Sequence, residues 1–173
     1  FPALQAYVPM LQAAMDHAPA CYPEVERRGN RITMRTIDEN QSMALALMLA
    51  ATASRSNRHM TVARGPNPYM QIALLLGSNA NENHQFEEAL TWLDRGLALQ
   101  PHSQYLIAEK STALSQLGRK QEAHDLLRAE INNPTSNFTL DRARFERMDG
   151  VILIDLGQLD DAEAALNESI RLE

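Results

Sequence analysis

Cysteine is all but absent. Cys21 stands alone among 173 residues, so no internal disulfide can staple the fold, and the redox compartment is left open. Valine is scarce, with four residues in all, and aromatics make up 5%. Long apolar runs are missing too. The longest, Met43 to Ala51, covers nine residues, against the roughly 20 that a membrane-spanning helix needs. There is no Gly-rich phosphate loop. The nearest stretch, Gly65-Pro66-Asn67-Pro68, lacks the Lys and reads as a turn. The chain opens on Phe1 rather than Met, as a trimmed or processed chain would, and a removed leader would leave no trace.

What is present favours helix. Ala (24) and Leu (23) dominate, and small or straight side chains suit helices as β-branched ones suit strands. The length fits one domain, or a small one joined to a larger, and suffices to bury a real core. Charge divides unevenly: residues 1–69 carry a net of +2 and residues 70–173 a net of −8. An acidic larger half argues against nucleic acid as a partner, because that binding is mostly cation-driven.

From residue 70 onward the sequence repeats. Segments 70–103, 104–134 and 143–173 can be stacked. Ala89, Ala123 and Ala162 recur at spacings of 34 and 39, each followed four residues later by Leu93, Leu127 or Leu166, and after four more by Leu97, Ile131 or Ile170. The extra five residues fall around Asn132 to Thr139, where Pro134 and Asn137 mark a break. Within each segment apolar residues recur at helical spacing, pause at a short polar turn and resume, which predicts two antiparallel helices per segment. The small Ala lets the two backbones approach. Gly118 and Gly157 stand just past a first helix, where a positive φ is wanted, and Pro101 stops the second helix of the first segment. One such pair cannot bury its own apolar face, so neighbours must stack.

On these residues the region resembles the tetratricopeptide repeat family. The first segment fits best, with Leu76-Gly77, Ala80, Ala89, Leu93, Gly96 and Pro101 in the family's order. The second has Lys110-Ser111 where Leu-Gly is usual, and the third has Asp149-Gly150; Ala80, Leu114 and Leu153 replace the large aromatic of the first helix. The implied fold is mainly α: a solenoid of three helix pairs behind a small N-terminal helical or α+β cap over residues 1–69. The chain stops at Glu173, one residue before the expected closing Pro. The expectation there is an open end that a continuing chain, or another chain, would cover.

The first 69 residues do not fit the repeat. Phe1 to His17 reads as a helix with Pro9 bending it or near its start. Arg28-Gly29-Asn30-Arg31 reads as a tight turn, Ile32 to Thr36 as a short strand, Asp38 to about Ala53 as a helix, and His59 to Arg64 as a second strand. Strand, helix and strand in that order would make a small parallel unit. An irregular helical cap is the other reading.

The resemblance also places a concave groove along the first helices, where extended peptides or partner helices lie. The implied groove residues are Gln71, Leu74, Leu75, Ser78, Asn81 and Glu82 from the first segment. Tyr105, Ala108, Glu109, Thr112, Ser115 and Gln116 come from the second, and Arg144, Arg147, Met148, Val151, Ile154 and Asp155 from the third. Members that clamp a C-terminal carboxylate use Lys and Asn where Leu74 and Ser78 stand here, and Asn where Glu109 stands. Arg144 keeps the basic pattern and Met148 does not, so the expected ligand is an amphipathic segment carrying some acid rather than a clamped carboxylate.

Catalysis would need a nucleophile, a base and an orienting group together. His17, His59, His84, His102 and His124 fit no metal-ligand spacing. His17 and Cys21 are four apart, but Pro19 interrupts them, and Cys21 reads as a small apolar residue. His84 and His102 read as solvated turn residues. Glu87-Glu88 and Asp160-Asp161 sit in first turns of helices, where the dipole favours them. The expectation is thus a non-catalytic interaction scaffold for a protein or peptide, with no cofactor and no metal. The rival readings are a self-association module working through the open end, and an enzyme whose site lies in residues 1–69.

Overall fold

The computed structural model describes residues 2–18, 22–23, 25–35, 47, 61–133 and 142–173. It is mainly helical, with a small three-stranded sheet near the N-terminus. The helices are α1 (Pro2–Gln5), α2 (Val8–Asp16), α3 (Pro68–Glu82), α4 (Phe86–Leu99), α5 (Gln104–Gln116), α6 (Lys120–Ile131), α7 (Arg142–Asp155) and α8 (Leu159–Leu172). The strands are β1 (Val25–Arg28), β2 (Arg31–Met34) and β3 (Thr61–Arg64). No described helix is long and apolar enough to cross a membrane.

Pro9 lies in the first turn of α2, where its missing N–H costs nothing. β1 and β2 form an antiparallel hairpin around Gly29 at φ +59°, from Val25 opposite Met34 to Arg28 opposite Arg31. β2 and β3 are parallel, with Ile32 opposite Val62 and Met34 opposite Arg64. A parallel pair needs a crossover, and the helix expected over Asp38 to Ala53 falls in that crossover; within that range Leu47, helical and exposed, is the one described residue. The second strand begins at Thr61, and His59 is likewise not among the described residues. β1 has no apolar alternation of its own; pairing with β2 makes it a strand. Ile32 and Met34 point to one buried face.

The sheet is tied to the helices through Arg35. Its carbonyl accepts from Asn67 Nδ2 (2.9 Å) and Gln100 Nε2 (3.1 Å); Asn67 stands at the N-cap of α3, but its Oδ1 accepts no capping bond. The Arg35 guanidinium lies 4.3 Å over the Tyr22 ring and pairs with Glu26, which holds the Glu26 carboxyl below its ordinary value. At the other side α2 packs on α3, and Arg95 reaches from α4 to Asp16 (3.0 Å) and to the Met15 carbonyl (2.8 Å).

From α3 to α8 each helix packs on the next. Ala89, Ala123 and Ala162 are buried, so backbones close in where the sequence is small. Two glycines take the same contact in the first and third pairs. A Cβ on Gly77 would lie 2.5 Å from a Leu93 methyl, and one on Gly150 would lie 2.7 Å from Leu166 Cγ. Ser111 holds the matching place in the second pair and is fully buried, as is Leu127.

The three turns inside the pairs also match. The amide of Gln85 donates to the Ala80 carbonyl, that of Arg119 to Leu114 and that of Gln158 to Leu153, each spanning a residue of positive φ. Gly118 and Gly157 supply it at +77°, but in the first pair it is His84, at +58°. A side chain in that region costs roughly 1 kcal/mol. His84→Gly is therefore expected to raise stability, and Gly118→His to lower it, each by about 1 kcal/mol in urea unfolding. Equal and unchanged midpoints would show that neither turn is strained.

Candidate functional site

The expected groove residues fall on α3, α5 and α7, and the structure sorts them into three groups. The first is already occupied by internal bonds. Asn81 Nδ2 donates to Glu109 Oε2 (2.8 Å) and to the Glu109 carbonyl (3.1 Å), joining α3 to α5. Thr112 Oγ1 donates back to the Ala108 carbonyl (3.1 Å). Asp155 pairs with Lys120 at 2.8 Å, across α6 and α7. Leu74 and Tyr105 are half-buried and pack against the core, while Ala108 belongs to it. Asn81, Glu109 and Asp155 thus join helices, whereas Thr112 bonds within its own helix.

The second group is outward. Gln71, Leu75, Glu82, Gln116, Arg147, Val151 and Ile154 are exposed, and Ser78 and Arg144 are half-exposed. Leu75, Val151 and Ile154 are each close to half exposed or more.

The third group lines a hollow. α3 and α5 pack directly, whereas α5 and α7 do not close on each other to the same degree. Between them lies a cavity of about 240 Å³. Thr112, Ser115 and Gln116 come to it from α5, and Arg147, Met148, Val151 and Ile152 from α7. Its floor includes Ser111, fully buried, whose hydroxyl has no hydrogen-bond partner. Arg147 at the rim pairs with Glu173. The hollow is therefore apolar on the α7 side, polar on the α5 side and basic at its edge. It can take an apolar side chain, and an acidic neighbour could meet Arg147 in place of Glu173.

A second cluster is not signalled by any sequence motif. The Asp149 side chain on α7 is 0% exposed. Its Oδ1 accepts from His124 Nδ1 on α6 at 2.7 Å. Arg128, one turn further along α6, donates from Nη1 to Glu146 Oε2 at 2.9 Å and stands 3.6 Å from Asp149 Oδ2. Arg142 Nε lies 3.8 Å from Glu146 Oε1. Burial pushes the Asp149 carboxyl above its ordinary value, against the lowering pull of the His124 bond and of the His124 and Arg128 charges. The one signal in the sequence is the residue type itself: Asp149 stands where Leu76 stands in the first segment, and a carboxylate in an apolar stripe needs a partner. That partner, His124, is 25 residues away and only helix packing brings it in. His102 is in a turn as expected, yet it meets the buried Glu130 at 3.2 Å rather than being merely solvated. Cys21 is not among the described residues, so the His17–Cys21 spacing has no structural counterpart there.

Among the described residues no three His, Cys, Asp or Glu side chains converge as a metal site. The chain matches no protein-family model, and no curated protein matches it.

Proposed function

We propose that residues 68–172 are a short helical solenoid of tetratricopeptide type. In this reading α3, α5 and α7 form a non-catalytic binding face for a protein or peptide partner. The observation that carries the reading is the hollow between α5 and α7, which gathers Thr112, Ser115, Gln116, Arg147, Met148 and Val151 around one concave space. The matching turns and the recurring Gly–Leu contacts of the first and third pairs support the repeat. The partner's fitting chemistry is an amphipathic segment: an apolar side chain for the hollow, and an acidic group for Arg144 and Arg147. Exposed Leu75, Val151 and Ile154 extend the apolar part of the face.

The test is capture from a lysate of the source cells by the wild-type chain, beside Arg144→Glu/Arg147→Glu and Val151→Lys. Both variants alter exposed or half-exposed positions and leave the core alone. A partner held by wild type is expected to be lost by both folded variants, with affinity reduced at least tenfold, about 1.4 kcal/mol. Equal capture by all three would sink the groove reading.

A second reading, self-association through α8, is favoured by one observation. Leu159 and Ile170 are exposed on α8, and Leu172 is partly so. Mass by light scattering would rise with concentration under that reading and stay monomeric under the first.

A further inference from the structure

The buried ion pairs of α6 and α7 open onto a cleft that the groove does not use. α8 closes its third side. Its volume is about 460 Å³, within the usual range of small-molecule sites. We propose that this cleft binds a small organic cation, a primary ammonium or guanidinium on a short aliphatic chain.

The argument begins at Asp149. Its side chain is completely buried, Oδ1 is taken by His124, and Oδ2 accepts no hydrogen bond. The nearest cation, Arg128 Nη1, stands 3.6 Å from Oδ2 and gives its hydrogen bond to Glu146 instead. A buried acceptor without a donor is costly, and the missing partner is an N–H or O–H donor, not another acceptor. The charge of the lining agrees. The four carboxylates of Glu146, Asp149, Asp161 and Glu168 outnumber the two guanidiniums of Arg128 and Arg142 in that lining, with Glu168 already paired to Arg171. Leu153, Ala164 and Ala165 add apolar lining to the carboxylates that α7 and α8 contribute. A lining that combines carboxylates from two helices with hydrocarbon suits an alkyl chain with a cation at each end. Access to Oδ2 requires the Arg128 head to swing outward. The Arg128 side chain is 38% exposed, so it has solvent to move into.

The probe is putrescine, a four-carbon diamine, titrated calorimetrically into the full chain, with butyrate as the anionic control of the same length. Putrescine is expected to bind with Kd below about 1 mM and butyrate not at all. Asp149→Asn removes the deep charge and should weaken binding at least tenfold. Asp161→Asn alters only an exposed side chain, cannot unfold the protein through the core, and should weaken binding severalfold. It keeps the test decisive if Asp149→Asn folds poorly. No putrescine heat up to about 10 mM, equal binding of butyrate, or binding unchanged in Asp161→Asn would each overturn the proposal. Because the groove lies between α5 and α7, loss of partner capture there leaves this result untouched.

Discussion

Leu93→Ala is expected to lower the unfolding free energy by about 3–5 kcal/mol. Leu93 is fully buried at the centre of the contact between α3 and α4, and it belongs to the main core that runs from Met15 on α2 to Ile152 on α7. Its loss would leave a cavity in the middle of that continuous body, where neighbours on both sides resist collapse. The reason for assigning the cost to this contact is Gly77. A Cβ there would sit 2.5 and 2.6 Å from Leu93 Cδ2 and Cγ. Gly77→Ala alone should therefore be destabilising by about 1–2 kcal/mol, despite alanine's better helix propensity, because overpacking outweighs it. In Leu93→Ala the space is vacant and the new methyl fits. The double variant is expected to be more stable than the sum of the two single losses by about 1–2 kcal/mol. Urea unfolding of the four proteins measures this. Simple additivity would show that Gly77 and Leu93 are not in the contact described.

Much of this contact is legible in the amino-acid sequence. Ala89, Leu93, Ala123 and Leu127 recur at helical phase, and all four are fully buried. Gly118 and Gly157 are legible because only a positive φ explains glycine at a helix end. His84 takes the same conformation without that mark, so the first turn is readable only by analogy with the other two. The alternation of Ile32 and Met34 marks β2, while nothing in the sequence marks β1. Val25-Glu26-Arg27-Arg28 offers no apolar alternation and is fixed by its partner. The positions that the resemblance implies for a groove lie on α3, α5 and α7, but the sequence cannot say which of their side chains are spent internally. Asp155 meets Lys120, and Asn81 meets Glu109, through packing between helices. Such bonds depend on distances across the stack, and spacing along one helix holds no information about them.

Removing the Arg128 guanidinium while keeping its alkyl stem, as Arg128→Met, is expected to cost about 2–3 kcal/mol at pH 7. Breaking a buried pair usually costs more. Here the Arg128 side chain is 38% exposed, and Asp149 keeps its bond from His124, so part of the penalty is relieved. The loss should depend on pH in a definite direction. The Asp149 carboxyl is raised from its ordinary 3.8 chiefly by burial, with the His124 bond and the charges of His124 and Arg128 opposing. For an acid raised in the folded state, the fold prefers the protonated form. Its favourable contribution is present below the unfolded value and is lost as pH rises through the folded one. Taking away Arg128 removes one of the opposing attractions, so the folded value climbs further and the neutral-pH deficit grows. Near pH 4 Asp149 takes up its proton more readily in the variant than in wild type, and the gap between the two proteins should shrink. Urea melts of wild type and Arg128→Met at about pH 7 and about pH 4 test this, urea being uncharged and therefore silent toward ion pairs. Adding Asp149→Asn to Arg128→Met should recover part of the loss at neutral pH, because the uncompensated charge is gone while one acceptor for His124 is kept. Stability equal to that of wild type at both pH values would mean that Arg128 stabilises through its methylenes alone. The three-helix junction would then be held by packing rather than by charge.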